Sequence, residues 1–240
     1  FRVVCPSIPG YGFSEAPRTR GWDVRRMAEM NAKLMAKLGY AKYGAQGGDW
    51  GAIISVQNAL VDKPHCAGIH LNMVVAFPAE GMGADAMKGL DADEIQGLGD
   101  LGNFQKDETG YQSIQGTKPQ TLGYGLNDSP AGLAAWIVEK FRTWSDCGGD
   151  VEKRFTKDEL LTNVMIYWVT NSITSSTRLY YETMKSGRFG PSTERVEQPT
   201  AGAIFPKELY RAPRAWAEKA FNIQQWTKMP SGGHFAALEE

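Results

Sequence analysis

The chain has 240 residues, of which 42% are hydrophobic and 22% charged, and its formal net charge at pH 7 is -1. This composition is typical of a soluble globular protein with one sizeable core and room for an inserted subdomain. No block of five or six like charges occurs and no apolar run approaches the roughly 18 residues of a membrane span, which argues against nucleic-acid binding and against a membrane segment.

The first third of the chain predicts alternating strands and helices. FRVVCPSI (Phe1 to Ile8) has the composition of a short strand, and apolar residues at three- and four-residue steps predict an amphipathic helix from Asp23 to Leu38, ended by Gly39. A weak strand at Tyr43 to Gln46 leads into a glycine-rich turn and a helix of about ten residues, and Ala67 to Val75 predicts a buried strand. This order is typical of a parallel α/β sheet.

From about Phe77 to Ser186 the alternation stops, and long helical patterns rich in Trp, Tyr, Met and Leu predict an inserted helical lid. The glycine-rich stretch EGMGADAMKGLDADEIQGLGDLG within it is predicted to be a loop. The sheet pattern then resumes with TAGAIFP, a helix near PRAWAEKAF and a strand-like NIQQWTKM. We therefore predict a core in two parts, residues 1–76 and 187–240, separated by a lid at residues 77–186.

The cysteines and the two ends of the chain indicate the location of the protein and whether the sequence is a fragment. Cys5, Cys66 and Cys147 are odd in number and far apart, which predicts reduced, buried thiols and a cytoplasmic location, with an upstream membrane anchor left open. The start FRVVCPS lacks the order of a signal peptide. Because Phe1 is not an initiator methionine and the chain closes where a helix is starting, we expect a fragment of a longer protein.

The stretch Gly47-Gly48-Asp49-Trp50-Gly51 has the frame of a nucleophile elbow with aspartate in the nucleophile position. In a chain with 27 glycines the motif alone is weak evidence, but its place between a predicted strand and a predicted helix would lift the central side chain to the carboxyl edge of the sheet. A carboxylate is ionised near pH 7 and can attack saturated carbon without a base. The motif therefore indicates a displacement reaction.

Two further residues are candidates for the same site. His234 follows two glycines after the last strand-like run and comes last in the chain order nucleophile, acid, histidine, whereas His65 and His70 are assigned structural positions. Glu208, in FPKEL after the lid, is the candidate acid. Glu208 could equally well form an ordinary ion pair with a neighbouring basic side chain, and the sequence does not favour either interpretation.

Displacement by a carboxylate also needs a group that stabilises the leaving atom. If a strained ether ring opens, the alkoxide must be protonated, and tyrosine phenols suit that task. If the leaving group is a halide, indole or amide N–H donors suffice. Asp49, His234 and Glu208 are compatible with both the opening of an ether ring and the displacement of a halide.

Taken together, the chain resembles the microsomal-type epoxide hydrolases of the α/β-hydrolase superfamily. The resemblance covers essentially the whole chain and rests on PSIPGYGFSEAP, QGGDWGA, GYQSIQGTKPQTLGYGLNDSPAGLAAWIVEKF, YWVTNSITSSTRLYYE, IFPKELYRAPRAWAEKAFN and GGHFAALEE. It implies an α/β-hydrolase fold with a mostly parallel sheet and a helical lid. It also implies hydrolysis of an epoxide to a vicinal diol, with no cofactor and no metal.

The resemblance implies a role for each core residue of the site. Asp49 matches the nucleophile, His234 the general base and Glu208 the acid that orients the base. The backbone N–H of Trp50 would contribute to the oxyanion hole. The companion donor in the family belongs to a His-Gly-x-Pro loop that, with the first sheet strands, precedes the region corresponding to Phe1.

The resemblance also implies two tyrosines that hold the epoxide oxygen. Tyr111 in ETGYQSIQ and Tyr180 in TRLYYE match them, and Tyr181 is the weaker alternative to Tyr180. The expected partners are a small apolar epoxide and water, with no nucleic acid, and a homodimer is compatible with the sequence. A haloalkane dehalogenase, which shares an aspartate elbow followed by tryptophan, and a catalytically inactive binding protein of the same fold are the alternatives.

Overall fold

The computed structural model describes residues 2–78 and 81–240, and in it the chain divides into two compact units. The helical unit consists of residues 2–23, 110–143 and 147–189, and the sheet unit of residues 24–78, 81–109, 144–146 and 190–240. The predicted boundaries of core and lid, at residues 76 and 186, remain predictions. No helix among the described residues is both long and apolar enough to cross a membrane.

The sheet unit is built on four strands that are all parallel and lie in the order β1-β2-β3-β4. The strands are β1 (Tyr43–Gly47), β2 (Cys66–Leu71), β3 (Val196–Ile204) and β4 (Phe221–Lys228). Their register aligns Gly47, Leu71, Gly202 and Trp226 in one row across the sheet. Strands β1 and β2 end at this row, and β3 and β4 end two residues beyond it. The residues that follow each strand therefore leave the sheet at its carboxyl edge, where ligands bind in open α/β sheets.

The helices of the sheet unit are α1 (Val24–Lys37), α2 (Asp49–Val61), α3 (Ala92–Asp107), α9 (Arg214–Ala220) and α10 (Ala236–Glu239), with a 3-10 turn at Ala84–Met87. The predicted first helix is confirmed: α1 ends at Lys37 and the backbone turns at Gly39, which has a φ of 83°. Apolar side chains of β2 and α2, among them Ile69, Leu71 and Ala59, form the core of the unit.

The helical unit contains α4 (Gly110–Thr117), α5 (Pro119–Asp128), most of α6 (Pro130–Trp144), α7 (Lys157–Thr170) and α8 (Ile173–Lys185). Glycines let α4 and α5 approach α8 closely: a Cβ on Gly116 would lie 2.0 Å from Met184 Sδ, and one on Gly123 would lie 2.3 Å from Thr174 Oγ1. Leu126, Leu133, Val164 and Ile173 form its buried apolar cluster.

The predicted strand at the start of the chain is wrong. Residues 2–8 pair with no strand of the described chain, and Val3 is 79% exposed, while Phe1 lies outside the described residues. A strand exists only where its N–H and C=O groups have partners, which a local pattern of apolar residues does not supply. The predicted strand at Ala67 to Val75 is confirmed but ends earlier, at Leu71. All three cysteines are free, as expected, but Cys5 is exposed rather than buried.

The prediction of a loop for the glycine-rich stretch is also wrong for its second part, which belongs to α3 from Ala92 onward, while its first residue, Glu80, lies outside the described residues. Asp91 and Glu94 form a reciprocal capping box, in which Glu94 N donates to Asp91 Oδ1 at 2.8 Å and Asp91 N donates to Glu94 Oε2 at 3.0 Å. Gly97 packs against Arg211, since a Cβ there would lie 3.2 Å from Arg211 Nε. A good N-terminal cap and a close tertiary contact outweigh the low helix propensity of glycine.

Candidate active site

Asp49 lies at the turn between β1 and α2 and has a φ of 48°, a left-handed conformation that is uncommon for any residue except glycine. The preceding glycines make this turn possible. A Cβ on Gly47 would lie 2.1 Å from the carbonyl carbon of Gly51, and one on Gly48 would lie 2.5 Å from Asn72 Nδ2. The sharp turn directs the Asp49 side chain away from the sheet, and 46% of that side chain is accessible.

The Asp49 carboxylate has two hydrogen-bond partners in the sheet unit. His234 Nε2 lies 3.1 Å from Asp49 Oδ2, and the backbone N–H of Trp50 donates to the same carboxylate. Burial alone would raise the pKa of Asp49, but the hydrogen bond and charge of His234 outweigh it, so the pKa lies below its usual value. Asp49 is therefore ionised at neutral pH and available for attack on carbon.

His234 lies in the loop after β4, and its side chain is only 3% exposed. Its Nδ1 lies 2.6 Å from Glu208 Oε1, while its Nε2 faces Asp49. Burial favours the neutral imidazole, but the charges of Glu208 and Asp49 and their hydrogen bonds raise the pKa of His234 to about 10. At neutral pH the resting site therefore holds an imidazolium between two carboxylates.

Glu208 follows β3 by four residues and is buried, with 1% of its side chain exposed. A single bridge between Lys207 and Gly233, in which Lys207 N donates to Gly232 O at 3.1 Å, brings its loop beside the loop of His234. Glu208 Oε1 also accepts the N–H of Leu209 at 2.7 Å. Three residues far apart in sequence thus form one hydrogen-bonded chain at the carboxyl edge of the sheet.

Known proteins resemble this chain in sequence and in fold. Residues 1–107 match the family model described as the alpha/beta hydrolase fold. The crystal structure of juvenile hormone epoxide hydrolase from the silkworm Bombyx mori superposes with a TM-score of 0.88 at 35% identity, covering 98% of this chain and 59% of that one. The fold of the chain is thus that of the α/β hydrolases.

Two other proteins similar to this chain carry related names. Epoxide hydrolase 1 of Oryctolagus cuniculus is 40% identical over 266 residues, which cover 100% of this chain and 57% of that protein. The structure of Aspergillus niger epoxide hydrolase has a TM-score of 0.84 at 32% identity, covering 98% of this chain and 58% of that one. The chain thus spans about half the length of the curated relatives it matches, between 53% and 57% of each.

The loop of the acid is anchored by the two residues at positions 210 and 211. The hydroxyl of Tyr210 donates to the carbonyl of Ala76, just beyond β2. The guanidinium of Arg211, 8% exposed, donates to Asp93 at 2.9 Å and to Asp100 at 2.6 Å, both on α3. The helix that the sequence analysis missed therefore holds the acid loop of this hydrolase fold in place.

Asn72, which sequence reasoning also missed, supports the elbow from β2. It is buried, its N–H donates to Gly47 O at 3.3 Å, and its Oδ1 accepts from Gln46 Nε2 at 3.1 Å. Its side chain occupies the space beside Gly48. The only signal in the sequence was its position directly after a strand that runs parallel to the elbow strand.

The candidate lid tyrosines lie in the helical unit, Tyr111 on α4 and Tyr180 on α8. Their rings pack edge to face, with centroids 5.8 Å apart at 83°. Lys140 Nζ lies 5.3 Å from the ring centroid of Tyr111, whereas Tyr181 lies near Lys185 instead. The structure therefore pairs Tyr111 with Tyr180, the residue preferred from the resemblance.

Acidic, histidine and cysteine side chains are the groups that commonly bind metal ions in proteins. Within residues 2–78 and 81–240, no group of three or more of them is arranged to hold a metal ion.

Proposed function

We propose that the protein to which this chain belongs is an epoxide hydrolase, which converts an epoxide and water to a vicinal diol through an ester on Asp49. The observation that carries the proposal is a nucleophile elbow whose carboxylate lies 3.1 Å from a buried histidine, itself 2.6 Å from a buried glutamate. Similarity to proteins named epoxide hydrolases over the whole chain supports the same reaction. Those names also favour it over the dehalogenase alternative.

In the first half-reaction a carboxylate oxygen of Asp49 attacks one ring carbon. A new C–O bond forms while the bond from that carbon to the ring oxygen breaks, and its electron pair stays on the oxygen. We assign to Tyr111 and Tyr180 the hydrogen bonds and the proton that this alkoxide needs. This assignment rests on the resemblance and on the pairing of the two rings.

Ester formation changes the charge around His234. Once alkylated, Asp49 is neutral, so one of the two carboxylates that hold the proton on His234 is lost, while burial continues to favour the neutral ring. The pKa of His234 therefore falls when the ester forms. The proton that His234 releases balances the one that the alkoxide takes up, which leaves the neutral imidazole required for the second half-reaction.

In the second half-reaction the neutral His234 removes a proton from water, which attacks the ester carbonyl of Asp49. Glu208 stabilises the imidazolium that forms, as the acid of a catalytic triad does. The backbone N–H of Trp50, which already donates to the Asp49 carboxylate, stabilises the negative charge on the tetrahedral intermediate. As that intermediate collapses, the bond from the carbonyl carbon to the alkyl oxygen breaks, and this oxygen takes the proton from His234, which releases the diol. The carboxylic acid left on Asp49 then gives its proton to His234, which restores the carboxylate and the imidazolium of the resting site.

The oxygen atoms of the product test the role of Asp49. With protein in excess over a simple aromatic epoxide in heavy-oxygen water, the diol of the first turnover should carry an ordinary oxygen from Asp49. After many turnovers, enzyme returned to ordinary water should pass heavy oxygen to its next product. A first-turnover diol fully labelled at the new oxygen would show that Asp49 is a base instead.

The histidine is tested separately. A His234→Gln variant should open the ring and then stall, so mass spectrometry should show protein heavier by one substrate, with the adduct on the peptide that contains Asp49. His65→Gln is the matched control and should not accumulate ester. Protein that binds the epoxide but stays unmodified would contradict this division of roles.

A further inference from the structure

The backbone of the loop that carries His234 is held by hydrogen bonds from its N–H groups. Four consecutive residues, 232–235, lie outside the helices and strands, yet every one of their N–H groups has an acceptor. The acceptors are as follows: Gly232 donates to Asp146 Oδ2 at 3.1 Å, Gly233 to both oxygens of Glu239 at 3.1 Å, His234 to Trp144 O at 2.9 Å, and Phe235 to Glu239 Oε1 at 3.1 Å.

Three residues supply these acceptors, and we call Trp144, Asp146 and Glu239 the histidine clasp. They are also joined to each other, because the N–H of Asp146 donates to Glu239 Oε2 at 2.8 Å. Glu239 therefore receives three N–H groups, two of them from the residues on either side of His234. Such charge-assisted bonds are stronger than those between neutral groups.

The clasp also encloses the ring of His234. The indole of Trp144 lies edge to face with the imidazole, with centroids 5.3 Å apart at 88°, and its Nε1 donates to Glu108 Oε2 at 3.3 Å. Gly233 allows this close packing, because a Cβ there would lie 2.6 Å from Trp144 O. Both the backbone and one side of the imidazole are thereby fixed by the same segment.

We propose that Glu239 is a positioning residue for His234, acting through the backbone N–H groups of the loop. A histidine side chain has two rotatable bonds, so its two ring nitrogens can meet Glu208 and Asp49 together only if the backbone is fixed. A displacement of about 1 Å in such a site can cost roughly 100-fold in rate. This inference rests on the proposed function, since the affected step is hydrolysis of the ester by His234.

The test is Glu239→Gln, compared with Glu240→Gln. A glutamine has one acceptor oxygen and an NH2 donor, so it cannot receive all three N–H groups. The adjacent Glu240 is a matched control, because its carboxylate accepts the exposed Ser231 hydroxyl at 2.6 Å. In single turnovers, Glu239→Gln should slow ester hydrolysis by about 10- to 100-fold with little change in ester formation, and Glu240→Gln should match the wild type.

A second measurement does not depend on turnover. In proton NMR, the ring N–H between His234 Nδ1 and Glu208 should resonate far downfield and be identified by its loss in His234→Gln. It should shift or broaden in Glu239→Gln but not in Glu240→Gln. A folded Glu239→Gln protein with wild-type ester hydrolysis and an unchanged resonance would overturn the proposal.

Two other outcomes are also decisive. If the wild-type protein forms no ester with epoxides, the proposed function fails, and the resonance alone then decides whether the clasp positions His234. If Glu239→Gln does not fold, Asp146→Ala replaces it, since it removes the acceptor of Gly232 and keeps the backbone N–H that Asp146 donates to Glu239. A wild-type hydrolysis rate and resonance in Asp146→Ala would then count against the clasp.

Discussion

Two histidines of this chain form ion pairs of equal length in different surroundings. His234 Nδ1 lies 2.6 Å from Glu208, with side chains 3% and 1% exposed. His65 Nδ1 also lies 2.6 Å from a carboxylate, that of Asp62, but its side chain is 55% exposed. Because solvent screens exposed pairs but not buried ones, we expect the buried pair of His234 to make the free energy of unfolding depend on pH near neutrality.

The sign and the size of this pH dependence follow from the raised pKa of His234, which is about 10 in the folded protein and about 6.5 in an unfolded chain. Between these values the folded state binds one more proton than the unfolded state, so stability falls as pH rises. Below pH 6.5 the contribution is fully present. Between pH 7 and pH 9 the expected loss from this single group is roughly 2 kcal/mol.

Urea titrations of the wild type, His234→Gln and His65→Gln at pH 7, 8 and 9 measure this effect. The difference between the pH dependence of the wild type and that of His234→Gln isolates the buried pair, because other titrating groups contribute to both. His65→Gln should keep the wild-type dependence. Equal pH dependence in wild type and His234→Gln would refute a protonated His234 held by the two carboxylates.

Two further substitutions test the lid and the elbow. Replacing Tyr111 and Tyr180 together by Phe should abolish ester formation in single turnovers. The fold should stay intact in circular dichroism, because the double substitution removes only two hydroxyls. Undiminished ester formation would contradict the role assigned to the tyrosines. Gly48→Ala should lower the free energy of unfolding by about 1–3 kcal/mol, since the added methyl would meet Asn72. Gly51→Ala, with open space around it, should not be destabilising, and equal losses at both positions would be inconsistent with this packing.

The parts of the fold that depend on local pattern were predictable from sequence. The amphipathic spacing of α1 and the strand-like stretches at β1, β3 and β4 predicted elements close to those observed. The glycine frame and chain order indicated Asp49 and His234 before any contact was known, and the structure brings them to 3.1 Å. For Glu208 the sequence left an ion pair with a neighbour equally open, and the hydrogen bond to His234 distinguishes the two.

The parts that depend on distant partners were not predictable. Nothing around Trp144 or Asp146 marks them as acceptors for a loop some 90 positions later in the chain. The helix α3 was missed because its glycines lower local propensity while Arg211, far along the chain, provides a contact for Gly97. The strand expected at residues 2–8 had the right composition but no neighbouring strand to pair with in the described chain.

The hydrogen bond between His234 and Asp49 joins residues 185 positions apart, and it forms at the edge of a sheet in which every strand is parallel. Closing such a long loop costs entropy before any contact offsets it, so parallel sheets and their edges are completed late in folding. Helices such as α7 and α8, whose backbone hydrogen bonds are local, can form within microseconds. Refolding protein should therefore regain its helical content well before it regains the ability to form a covalent ester, and far-ultraviolet spectra alone would overstate the yield of competent enzyme.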